Sequence, residues 1–187
     1  MTAPPLVLAS ASPRRRDLLG AAGFVFRVDA PHVDETVAPG TSPHEAVAAL
    51  AARKAAAVAA RHVDAVVLAA DTLLDLDGEV LGKPADVDAA CALLARLAGR
   101  RHDVLTAVAV WLPGEVAPQV EVVRTSVTFR PLSAEEIAAY VATGEPLDKA
   151  GAYAIQGGAA DFVARLEGPY DNVVGLPMAT VRRMLSS

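Results

Sequence analysis

Apolar positions along this chain follow two rhythms. Short apolar runs bounded by turn residues read as strands at residues 6–9, 24–28, 65–70, 104–112, 119–129 and 162–166. Between them, helical patterning runs over 13–22, from 43 to about 61, over 87–98, from 134 to about 143, and from Pro177 onward. Punctuation supports this alternation. Ser12-Pro13 is an N-cap serine followed by proline at the first helical position, while Ser42-Pro43-His44-Glu45 and Ser133-Ala134-Glu135-Glu136 are capping boxes. Gly23, Gly99 and Gly144 stand where helices should stop. Residues 72–81 form a hairpin pattern turning at Asp77-Gly78, and Asp71 ends the strand before it. No repeats, linkers or low-complexity tracts interrupt the pattern beyond an alanine bias. Strand and helix alternating in this way predict one α/β domain over residues 1–187, with a mixed, twisted sheet flanked by helices.

Composition narrows the class. With 53% apolar residues and a net charge of −5 over 187 residues, a disordered chain is excluded. The single cysteine, Cys91, cannot form an internal disulfide and reads as a small core residue. The histidines stand singly, without zinc-ligand spacing. Ala9-Ser10-Ala11 resembles a signal-peptidase site, but Pro4-Pro5 precedes it and the charges Arg14-Arg15-Arg16 follow rather than lead. No run approaches the ~18 apolar residues of a membrane span. A cytoplasmic protein without membrane partners is expected, and mild acidity weighs against a nucleic-acid partner.

Three features carry candidate chemistry. Arg14 and Arg15 occupy a first helical turn, where cations are disfavoured by about 0.3–1 kcal/mol each. With Ser10, Ser12 and free backbone N–H groups they make an anion site suited to phosphate, or else they solvate the helix end. No GxxxxGK or GxGxxG accompanies them. Asp71, at the carboxyl end of an apolar strand, stands where open sheets gather ligands; it is a metal or proton acceptor, or a turn residue. Asp34 and Glu35 could share a cation with it or decorate a loop. Finally, the chain carries 14 arginines and only three lysines, Lys54, Lys83 and Lys149. Such a bias suggests that lysine persists where a compact point charge is needed. Lys54 falls on the apolar stripe with Val47, Leu50 and Val58, either snorkelling or reaching into a site. Tyr153-Ala154-Ile155-Gln156-Gly157 sets a neutral amide among glycines, where a flat base could approach, and Trp111 and Phe162 read as core.

The ordered set Ser10-Ala11-Ser12-Pro13-Arg14-Arg15, Val33-Asp34-Glu35, Arg53-Lys54, Ala70-Asp71-Thr72, Gly82-Lys83-Pro84, 102–107, 151–157 and 172–177 resembles the Maf family of nucleoside triphosphate pyrophosphatases over nearly the whole chain. The resemblance implies a nucleotide-binding cleft and hydrolysis between the α- and β-phosphates, with a divalent metal cation (Mg or Mn) as cofactor. It also implies a homodimer, and house-cleaning of nucleotide pools with a linked restraint on septum formation. Carried over, Asp71 is the proton acceptor, Glu35 and Asp71 are the metal carboxylates, and Lys54 and Lys83 act with Arg14 and Arg15 on the triphosphate. Ser10 and Ser12 add hydroxyl and capping contacts, and Arg15, Thr72 and Gln156 set specificity. The neutral Gln156 is similar to the branch that acts on dTTP and UTP, since an amide can meet the acceptor–donor–acceptor edge of a pyrimidine imide. A non-catalytic nucleotide-binding regulator of septum formation, and a phosphatase releasing orthophosphate, are the competing readings.

Overall fold

The computed structural model describes residues 4–186. Seven strands form one mixed sheet: β1 (Leu6–Ala9), β2 (Phe26–Val28), β3 (Val66–Leu76), β4 (Glu79–Leu81), β5 (Arg101–Trp111), β6 (Gln119–Phe129) and β7 (Val163–Glu167). Their order is β2-β1-β3-β5-β6-β7, with β4 paired to the far end of β3. β1 runs parallel to β2 and β3, and every other pairing is antiparallel. Six helices accompany it: α1 (Pro13–Ala21), α2 (Pro43–Ala59), α3 (Val87–Leu97), α4 (Ala134–Val141), α5 (Tyr170–Val174) and α6 (Met178–Leu185). Among the described residues no helix is long and apolar enough to cross a membrane.

The two-residue period of the strands divides the core. Val7, Ala9, Val67, Ala69, Ala107 and Ala109 meet the α2 stripe of Val47, Ala51, Ala55 and Val58 on one face. Leu8, Leu68, Ala70, Val108 and Val110 meet Leu19, Leu176, Val181 and Met184 of the α1 and α6 side on the other. Alanine in the central strands lets α2 lie close to the sheet, and each buried valine or leucine contributes about 1.5–3 kcal/mol. A third cluster, with Leu74, Leu81, Leu94 and Phe129, joins α3 and α4 to the far end of the sheet. Phe162 belongs to this core, Cys91 packs against it, and Trp111 is only half-buried.

Several boundaries differ from expectation for identifiable reasons. β3 does not stop at Asp71 but continues to Leu76. The antiparallel partner β5 keeps pairing through Asp71↔Ala107, Thr72↔Thr106 and Asp75↔Asp103. β5 itself begins at Arg101, because the polar triplet Arg101-His102-Asp103 hides the start of the strand while His102 turns inward at 2% exposure. α5 is too short to leave a periodic signal. The glycine-rich stretch winds into three 3-10 turns, Glu145–Asp148, Ala150–Ala152 and Gly158–Phe162. Both capping boxes form, at Ser42 and Ser133. Ser12 occupies its N-cap position, but its side chain makes no capping hydrogen bond, contrary to expectation.

Candidate active site

The same period places the candidate acid. Counting along β3, Asp71 follows Val67 and Ala69 onto the α2 face, and Thr72 follows Leu68 and Ala70 onto the α1 face. β1 ends opposite Ala69, so beside Asp71 the sheet opens to the turn of residues 10–12 and the start of α1. Asp71 is therefore a mid-strand residue standing at the end of its parallel neighbour.

Lys54 comes to it from α2. The stripe that buries Val47, Leu50 and Val58 also buries Lys54, at 9% exposure, and its ammonium does not snorkel outward. Nζ donates to Asp71 Oδ1 at 2.5 Å and lies 2.6 Å from Glu35 Oε1. One ammonium thus holds two carboxylates together, one nearly buried and one on an exposed loop. The bond from Lys54 keeps the Glu35 carboxyl below its usual range, with Lys83 and Arg15 adding to the effect. Asp34 faces away: its Oδ1 accepts from Thr36 N at 2.8 Å and Thr36 Oγ1 at 2.6 Å. Arg53, next to Lys54, braces this loop by donating to the carbonyls of Asp34 and Thr36 at 3.0 and 2.8 Å.

Arg15 ties four segments together. Nε donates to Gly175 O at 2.8 Å, Nη1 to Ala70 O at 2.7 Å and more weakly to Ser10 Oγ at 3.5 Å, and Nη2 to Thr72 Oγ1 at 3.0 Å. Burial lowers its pKa, and Asp71 opposes that shift. Most of its donor fork is spent inside the protein. Ser10, 5% exposed, stands behind the turn, where its hydroxyl accepts from Ser12 N at 3.1 Å. It does not line the cleft.

That cleft, of about 1060 Å³, brings most of the remaining candidates together. Ser12, Arg14, Arg15, Glu35, Lys54, Asp71, Thr72, Lys83 and Gln156 all line it. Lys83 and Gln156 are exposed there, whereas Lys54 and Asp71 form the floor. Lys149 is a further lining residue outside the expected set. It ion-pairs with Asp148, and Nζ donates to Glu145 O at 3.4 Å. Its signal was in the composition: all three lysines of the chain line this one cleft.

Behind the wall, His102 Nε2 lies 2.8 Å from the hydroxyl of Tyr153, a lining residue, and its ring meets Phe129 edge-on at 5.1 Å. Burial pushes its pKa down to about 4, with Asp103 opposing. A histidine held neutral by folding gives full stability above its unfolded pKa of about 6.5 and loses it as pH falls toward 4. From pH 6.5 to 5 this amounts to about 2 kcal/mol, or roughly 4–8 °C in Tm. Thermal melts should show that loss in the wild type and a flatter profile in His102→Gln, which keeps a partner for Tyr153 without titrating. Equal slopes would refute it.

A helix N-terminus and cationic side chains around a carboxylate–ammonium–carboxylate bridge define the class: an α/β domain with cations and paired acids gathered in one cleft. The family follows from comparison. The chain belongs to the Maf-like proteins, whose family model matches residues 5–187. The dTTP/UTP pyrophosphatase of Moorella thermoacetica is 54% identical over 181 residues, 97% of this chain and 93% of that protein. That of Pelotomaculum thermopropionicum is 53% identical over 180 residues, 96% and 94% of the two chains. Among solved structures, the Staphylococcus aureus Ham1 protein aligns at a TM-score of 0.44 and 20% identity, covering 67% of this chain and 70% of that one.

Proposed function

We propose that this chain hydrolyses nucleoside triphosphates, dTTP and UTP foremost, to the nucleoside monophosphate and pyrophosphate. The observation that carries the reading is Lys54 held between Asp71 and Glu35 at 2.5 and 2.6 Å on the floor of a cleft rimmed by Arg14 and Lys83. Relatives of about half identity over nearly the full length bear the dTTP/UTP pyrophosphatase name, which supports the choice of substrate.

Among the described residues no group of three or more His, Cys, Asp or Glu could hold a metal unaided. The donor set nevertheless fits a divalent cation. Asp71 and Glu35 each spend one oxygen on Lys54, leaving Oδ2 and Oε2, and magnesium usually takes one or two carboxylates with substrate phosphates and waters completing its shell. Bound there, magnesium or manganese would offset phosphate charge and polarise the anhydride.

The chain's own groups account for the rest. Arg14, Lys83 and the free N–H groups of the first turn of α1 grip the triphosphate, and Lys149 adds a third ammonium. Asp71 accepts a proton from water as the water oxygen bonds to the α-phosphorus. The bridging P–O bond breaks, and pyrophosphate leaves with the electron pair. Lys54 steadies Asp71 and offsets the charge that builds on the leaving oxygens. Arg15 and Thr72 hold β3 to α1 and so set the cleft's shape, Ser12 offers a hydroxyl unspent on capping, and Gln156 meets the base. A net charge of −5 favours free nucleotides over nucleic acid as partners, and a cytoplasmic homodimer accords with the reading.

Product analysis tests it. Incubation with UTP, dTTP or GTP and magnesium or manganese should release pyrophosphate and the monophosphate, fastest from the pyrimidines. Orthophosphate as the product, or no turnover of any triphosphate, would reject the reading.

A further inference from the structure

The turn that presents Gln156 is held at both corners from outside the cleft. Gly157 N donates to Ala154 O at 3.0 Å, closing a tight turn with Ile155 and Gln156 at its centre. Ala154 N donates to the Tyr140 hydroxyl at 3.0 Å, and Gly158 N donates to Glu145 Oε2 at 3.0 Å. Tyr140 lies near the end of α4. Glu145 follows a left-handed Gly144 (φ 77°) and opens the first 3-10 turn, so one short stretch grips both ends. Glu145 does not itself line the cleft.

The glycines after Gln156 fit this clamp. A Cβ at residue 157 would overlap the Glu145 carboxylate, and one at 158 would stand 3.1 Å from the Tyr140 ring. Backbone without side chains can lie flat against both groups. The bond to Gly158 is charge-assisted and spans only thirteen residues, so it constrains the turn strongly.

We propose that Glu145 is a positioning residue for base selection: its carboxylate, bonded to the Gly158 amide and packed on Gly157, fixes the turn at the setting where the Gln156 amide meets a pyrimidine. The role rests on the triphosphate reading above and acts through Gln156, leaving the groups around Asp71 untouched. A hydrogen bond to a charged group shifts the population of the held turn about tenfold, and apparent binding through Gln156 falls with that competent fraction.

The test measures kcat and KM for UTP and GTP, with magnesium, in Glu145→Ala, Glu145→Gln, Gly157→Ala and the Glu145→Ala/Gly157→Ala double variant. Glu145→Ala should raise the KM for UTP about tenfold with kcat held within about twofold, lowering the UTP:GTP ratio of kcat/KM. Glu145→Gln, whose Oε1 still accepts from Gly158, should recover most of that ratio. Gly157→Ala should lower it too, and the double variant should lose less than the two single losses combined. An unchanged ratio in a folded Glu145→Ala, or a fall in kcat with KM unmoved, overturns the proposal. Should Glu145→Ala fail to fold, an unchanged ratio in Gly157→Ala overturns it equally. A wild-type chain that turns over neither nucleotide overturns the triphosphate reading, and the clamp falls with it.

Discussion

Replacing Asp71 with asparagine is expected to remove hydrolysis while leaving the fold in place. A proton acceptor in the transition state contributes about 10²–10⁴-fold, and loss of a carboxylate beside the phosphates adds to that, so kcat should fall roughly 10³-fold or more. Stability should change little. Asparagine keeps the shape of the side chain, and Lys54 remains ion-paired to Glu35 at 2.6 Å, so no buried charge is stranded. Single-turnover pyrophosphate release, measured beside a thermal melt, separates the two effects. Hydrolysis within tenfold of wild type would sink Asp71 as the acceptor.

Lys54→Met should behave differently, costing both activity and stability. The thioether suits the apolar stripe of Leu50, Ala51 and Val58, so packing survives. What is lost is the ammonium that two carboxylates share, one of them on a side chain only 10% exposed. Stranding one partner of a buried pair costs about 3–5 kcal/mol, and because Asp71 keeps Arg15 as a charged neighbour and lines an open cleft this falls to about 2–3 kcal/mol here, or roughly 5–10 °C in Tm. Asp71→Asn on the Lys54→Met background removes the stranded charge and should return most of the lost Tm. A double variant no more stable than Lys54→Met alone would show that the ion pair was not the cause.

Much of this is legible in the amino-acid sequence. The strand and helix pattern, both capping boxes and the Asp77-Gly78 turn are local matters of periodicity and backbone preference, and the structure agrees with them within a few residues. Lys54 was detectable because a charged residue on a strict apolar stripe conflicts with its surroundings. The lysine scarcity points at Lys149 as well. The misreadings share a cause. Asp71 reads as the end of a strand because a charge follows six apolar residues, yet the β5 ladder, drawn from 28 and more residues away, carries the strand through it. Ser10 reads as a cleft hydroxyl because it flanks a helix start, yet it stands behind the turn; Arg15 lines the cleft and also donates to Gly175, which arrives from the distant end of the chain.

The order of residues was enough to settle which segments are strands and helices, and which side of each faces inward, since both follow from contacts within a few positions. Sheet register, a long-range matter, decided the rest. Together with the packing of helix on sheet it brought an acid from β3 and a loop carboxylate within 2.6 Å of the α2 ammonium, and it tied Arg15, itself lining the cleft, to β3. Those distances join residues 17 to 160 positions apart, where no periodicity reaches and only the packing of the sheet against its helices fixes who meets whom.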